Sequence, residues 1–98
     1  MKVVKALLRI VEGSFEESGL DPQTFMLVRL AALATLDASP ASWLLNMEAS
    51  GDAGLAPETV IGTLIAIAPV IGTPRIASAS ANIVKALELK QEFDENGG

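Results

Sequence analysis

Between Phe25 and Ser80 the chain carries only six charged residues: Arg29, Asp37, Glu48, Asp52, Glu58 and Arg75. The other thirteen lie in the two end segments. Nothing in this apolar middle alternates with period two for long enough to make a convincing strand, and its apolar positions recur around helical turns instead. Two predicted helices, QTFMLVRLAALATL and ETVIGTLIAIAPVI, are apolar around most of their circumference. A chain of 98 residues leaves much of its surface in water. One copy has too little interior for so many apolar side chains. The pattern predicts an all-α single domain, residues 1–98, with some faces covered by further copies of the chain.

Local signals divide the chain. Lys2, Lys5, Arg9 and Glu12 lie opposite Val4, Leu7, Leu8 and Val11, which predicts an amphipathic first helix ended by Gly13. Its cations are too few for a membrane-binding face and are expected to be solvated. Asp21 before Pro22 starts a second helix: the carboxylate caps free amides, and proline suits the first turn. Asp37 to Pro40 is a break, after which ASWLLNMEASGDA runs to Gly54. Pro57 and Glu58 open the fourth helix, expected to be central or at a subunit contact, with Pro69 ending or kinking it. Thr73 is expected to cap the last helix, whose small residues Ala77 to Ala81 permit close packing. Residues 94–98, DENGG, read as a frayed tail.

Composition excludes several functions. A net charge of −5 offers no basic patch to displace counterions from phosphates, so no nucleic-acid partner is expected. The longest uncharged run, TVIGTLIAIAPVIGTP, is shorter than the ~20 residues that span a bilayer, and the charges near the start interrupt any signal-peptide core. No membrane partner is expected. With no Cys there is no disulfide, thiolate or zinc–sulfur site, which fits the cytoplasm. Glu48 and Asp52 are four apart on one face. Without a third ligand nearby they predict a solvated face rather than a metal site. No cofactor is expected.

Ser39, Ser42 and Asn46 sit at spacings of three and four, which places two hydroxyls and an amide on one helix face. A serine nucleophile needs a base within reach, and the chain has no His at all. Ser39 is therefore expected to cap its helix, and Ser42 to bond backbone or water.

Three stretches, in order, are similar to the carboxymuconolactone decarboxylase family, which includes the alkylhydroperoxidase D proteins. They are DPQTFMLVRLAALATL, EASGDAGLAPETVIGTLIAIAP and VIGTPRIASA. The carrying motifs are D-P-x-T opening a helix, D-A-G-L-x-P-E between helices, and G-x-P-R at the start of the last one. The resemblance covers about Gly19 to Leu89. It implies an alkylhydroperoxidase D-like helical bundle assembled as homotrimers or hexamers. In the peroxidase branch, C-x-x-C-x-x-x-H follows the break. Those positions correspond here to Ser39, Ser42 and Asn46. The glutamate of T-x-E-L in the preceding helix corresponds to Met26, within Thr24-Phe25-Met26-Leu27. A hydroxyl does not cycle through a sulfenic acid and a disulfide, so peroxidase activity is not expected. Asn46 does not titrate, which also counts against a histidine-dependent decarboxylation.

The sequence thus favours a non-catalytic small-molecule-binding or structural homo-oligomer. Its candidate pocket has Asn46 as polar anchor and Met26 and Trp43 as walls, although Met26 alone filling the space is also consistent. The alternative is a decarboxylase-like or proton-transfer enzyme acting on a small organic acid. Arg29 or Arg75 would bind the acid, and Glu48 or Asp52 would move protons. Either arginine can equally pair with an acid such as Asp52 or Glu58. A further alternative is a module that packs on an active relative.

Overall fold

The computed structural model describes residues 2–96. It contains five helices and, among the described residues, no strand: α1 Lys2–Ser18, α2 Pro22–Leu36, α3 Pro40–Asp52, α4 Pro57–Ile71 and α5 Thr73–Asn96. The all-α expectation holds. No described helix is long and apolar enough to cross a membrane.

Helix starts follow local chemistry. Asp21 is the N-cap of α2. Its Oδ1 accepts from the Thr24 N–H at 2.9 Å and its Oδ2 from the Thr24 hydroxyl at 2.7 Å. The Thr24 amide is the main cause holding the Asp21 carboxyl below its ordinary range. Ser39 caps α3 in the same way, accepting from the Ser42 N–H at 3.3 Å. Pro22, Pro40 and Pro57 each occupy the first turn of their helix, where a missing N–H costs nothing. Ala56 cannot cap with its side chain, and α4 has Glu58 in its first turn to face the positive end of the helix.

Helix ends depart from expectation in three places. α1 runs through Gly13 to Ser18. An interior glycine costs only about 1 kcal/mol. The extra turn also carries Phe15 to an edge-to-face contact with Phe25, ring centroids 5.1 Å apart. Thr73 is the first residue of α5 rather than its cap, and the preceding Gly72 carbonyl accepts from the Ile76 N–H at 3.3 Å. Gly72, at φ 92°, turns the chain directly from α4 into α5. Asp94 to Asn96, expected in a frayed tail, continue α5, while Gly97 and Gly98 lie outside the described residues. Pro69 sits in the last turn of α4, which continues to Ile71. Asp37 closes α2 at φ 55°, with the Ala38 N–H returning to the Leu33 carbonyl at 3.0 Å.

α2 is the central helix and packs on each of the other four, whereas among the described residues the backbone of α1 comes close to α2 only and its side chains face α3 across open hollows. The core joins Leu30 and Ala34 of α2, Trp43 of α3, Val60 and Leu64 of α4, and Ala79 and Ala86 of α5. α4 is not central. Ile61, Ile65 and Val70 stand out from it into solvent. The molecule is a slab of 38 × 37 × 24 Å. Its accessible surface is 6608 Å², against about 5,300 Å² for a compact monomer of its mass.

Candidate functional site

Four polar side chains follow one another along α3. The Ser39 hydroxyl donates to that of Ser42 at 3.3 Å, and the Asn46 amide donates to the Ser42 carbonyl at 2.8 Å. One turn on, the buried Ser50 hydroxyl donates to the Asn46 carbonyl at 2.7 Å. Ser39, Ser42 and Asn46 thus share a face, as their spacing predicts. The Ser39 and Ser42 hydroxyls answer one another and the backbone, and among the described residues neither is hydrogen-bonded to a base.

Asn46 connects this row to α2. Its Oδ1 accepts from Arg29 Nε at 3.1 Å. The Arg29 guanidinium also lies over the Phe25 ring, 5.5 Å from its centroid, a cation–π contact along one helix turn. The Asn46 side chain thus gives its Oδ1 to Arg29 and an Nδ2 hydrogen to the Ser42 carbonyl. It lines a cavity between α1, α2 and α3 and at the same time holds the arginine. Arg29 does not pair with Asp52 or Glu58, and among the described residues it has no carboxylate partner.

These two residues border a cavity of about 330 Å³ between α1, α2 and α3. Leu7, Leu8 and Val11 come from α1, Met26 and Arg29 from α2, and Leu45, Asn46 and Ala49 from α3; the cavity is open to solvent, with Leu7, Leu8, Leu45 and Ala49 exposed. Among the described residues Arg29 and Asn46 are the polar side chains of its lining, and the rest of the wall is apolar. Val11, Met26 and Ala49 also border a second hollow of about 330 Å³, which includes Phe15 and the carboxylates of Glu12 and Asp52. Met26, 6% exposed, thus stands in the partition between an arginine-bearing cavity and a carboxylate-bearing one.

Other sequence candidates lie elsewhere. Trp43 is not a wall of the cavity but is fully buried in the core. It stands about 60° round α3 from Asn46, on the side away from Leu45 and Ala49. Arg75 is at the junction of α2 and α5, 3.5 Å from Asp37, which also accepts from the Ser78 hydroxyl. Glu48 pairs with Lys90 of α5 at 2.7 Å, raising the Lys90 ammonium above its ordinary range through the hydrogen bond and the charge. That pair borders a third hollow of about 210 Å³ between α3 and α5, so Glu48 and Arg29 serve different faces of α3. Among the described residues no three His, Cys, Asp or Glu side chains gather as a metal site.

Sequence reasoning missed the contribution of α1 and the Phe25–Arg29 contact. The spacing of four between Phe25 and Arg29 was the available signal for the contact. For α1, its apolar face showed that it packs somewhere but not on which partner.

No curated protein and no solved structure matches the chain significantly. The family model that does match, the carboxymuconolactone decarboxylase family, covers residues 2–86. The match takes in α1, which the quoted motifs leave out, and includes every residue around the Arg29–Asn46 cavity. The chain belongs to the carboxymuconolactone decarboxylase family.

Proposed function

We propose that this family member is a non-catalytic, self-associating cytoplasmic protein that binds a small molecule in the cavity between α1, α2 and α3. One observation carries this reading: the cavity has a fixed arginine–asparagine pair at its border and an otherwise apolar wall. Few placed polar groups in an apolar lining suit binding and orientation. Proton transfer or covalent chemistry needs a group that titrates or attacks, and Met26, Ser39, Ser42 and Asn46 supply neither an acid–base pair nor a thiol. Self-association is supported by the large surface and the exposed isoleucines of α4. The lack of Cys suits a reducing compartment.

The enzyme reading has one observation in its favour. Glu12 and Asp52 border the neighbouring hollow, separated from Arg29 by the partition that includes Met26. A decarboxylase-like reaction on a small organic acid would need that partition to open.

An environment-sensitive anilinonaphthalene sulfonate dye tests the binding reading. The wild-type chain is expected to take up dye at one saturable site per chain. In Ala49→Phe, whose ring enters the cavity from the exposed side of α3, affinity should fall at least tenfold while the helical circular dichroism is retained. Unchanged dye binding in the folded variant would contradict the reading. Release of carbon dioxide from small organic acids by the wild type would favour the enzyme instead.

A further inference from the structure

We propose that the ligand of the α1–α2–α3 cavity is an aliphatic monocarboxylate: a medium-length hydrocarbon chain with one carboxylate, held by Arg29. The inference rests on the binding reading above and adds the chemical class.

The head group is argued from Arg29. Its Nε is engaged by Asn46 Oδ1 and its guanidinium rests over Phe25, so the fork is held from two sides before any ligand arrives. Its terminal nitrogens have no hydrogen-bond or ion-pair partner among the described residues, although twelve carboxylates are available in the chain. The contrast with Arg75 is direct, because that arginine has Asp37. A half-buried, oriented guanidinium without an acid matches a planar carboxylate, which accepts two parallel N–H bonds. In a protein of net charge −5 an anion needs such a local cation to bind.

The tail is argued from the walls. Leu7, Leu8, Val11, Met26 and Leu45 form an apolar wall, open to solvent along the exposed Leu7, Leu8 and Leu45, and beside Arg29 only the neutral Asn46 is polar among the described lining residues. A dicarboxylate would lay its far charge along this apolar wall with no second cation to pair it, whereas a hydrocarbon chain exchanges water for apolar contact. At about 330 Å³ the cavity has room for a medium-length chain.

Calorimetric titration of the full chain with octanoate, octanol and adipate tests the proposal. Octanoate is expected to bind at least tenfold more tightly than octanol, and adipate not measurably. Arg29→Gln should erase the advantage of octanoate and leave octanol unchanged, with Arg29→Lys intermediate. Should Arg29→Gln fail to fold, the wild-type comparison still decides. Equal binding of octanoate and octanol, tight binding of adipate, or an octanoate preference that survives Arg29→Gln would overturn the carboxylate assignment and leave the binding reading standing. If neither octanoate nor octanol binds, and Ala49→Phe leaves dye uptake unchanged, both fail together.

Discussion

Trp43→Ala is expected to remove about 3–5 kcal/mol of stability, the usual loss when a buried aromatic is cut to alanine. Trp43 is 0% exposed and is the largest side chain in a core otherwise made of two leucines, a valine and three alanines. Ala34, Ala79 and Ala86 share this buried cluster with Trp43. They cannot grow to fill the space it leaves. A domain of this size has about 5–15 kcal/mol in total. At about 4–8 °C per kcal/mol, the melting temperature should fall by roughly 12–40 °C. Trp43→Phe should lose much less. It keeps a ring in the core and removes an indole N–H that has no hydrogen-bond partner, a group that costs about 1–3 kcal/mol when left unsatisfied. Thermal unfolding followed by far-ultraviolet circular dichroism gives both values. An alanine variant melting within a few degrees of wild type would show that Trp43 does not hold the helices together.

The second large effect is on assembly. Ile61 and Ile65 lie one turn apart on α4 and are 58% and 68% exposed, so they present one apolar stripe to solvent. Burying one isoleucine against another copy is worth about 1.5–3 kcal/mol. Replacing both by glutamate should therefore weaken the proposed self-association by about 10²–10⁴-fold, at roughly 1.4 kcal/mol per decade. Light scattering should report a multiple of the 10.2 kDa chain for wild type and the single chain for the double variant, with the helical content of both alike. A wild-type protein that is monomeric at micromolar concentration would end the assembly proposal. A double variant that still associates would move the contact to another face, such as the one carrying Val84 and Leu87 on α5.

The starts of α2, α3 and α4 were legible because a cap and a following proline act within four residues. Asp21-Pro22 and Ser39-Pro40 needed no tertiary information. The end of α1 was not legible, because the weak local penalty at Gly13 is outweighed by a contact between Phe15 and Phe25 across two helices. At the site, the shared face of Ser39, Ser42 and Asn46 followed from helix pitch alone. The bond between Arg29 and Asn46 did not. It joins residues seventeen apart and depends on how α3 lies against α2. Trp43 shows the same limit. Its bulk marked it as important, but only the packing of α5 decides that it faces the core and not the cavity.

We propose that Met26, Ser39, Ser42 and Asn46 stand where the family carries its reactive side chains, with the geometry kept and the reactive atoms lost. It is tested most directly by putting those atoms back: Met26→Glu, Ser39→Cys, Ser42→Cys and Asn46→His in one protein. The Ser39 and Ser42 hydroxyls are 3.3 Å apart at the start of α3, where the helix dipole favours a thiolate. Free-thiol counting after mild oxidation is expected to find both thiols of each chain joined within that chain, and the folded variant is expected to consume peroxide when a dithiol reductant is supplied. Thiols that stay free, or that link one chain to another, would contradict the account.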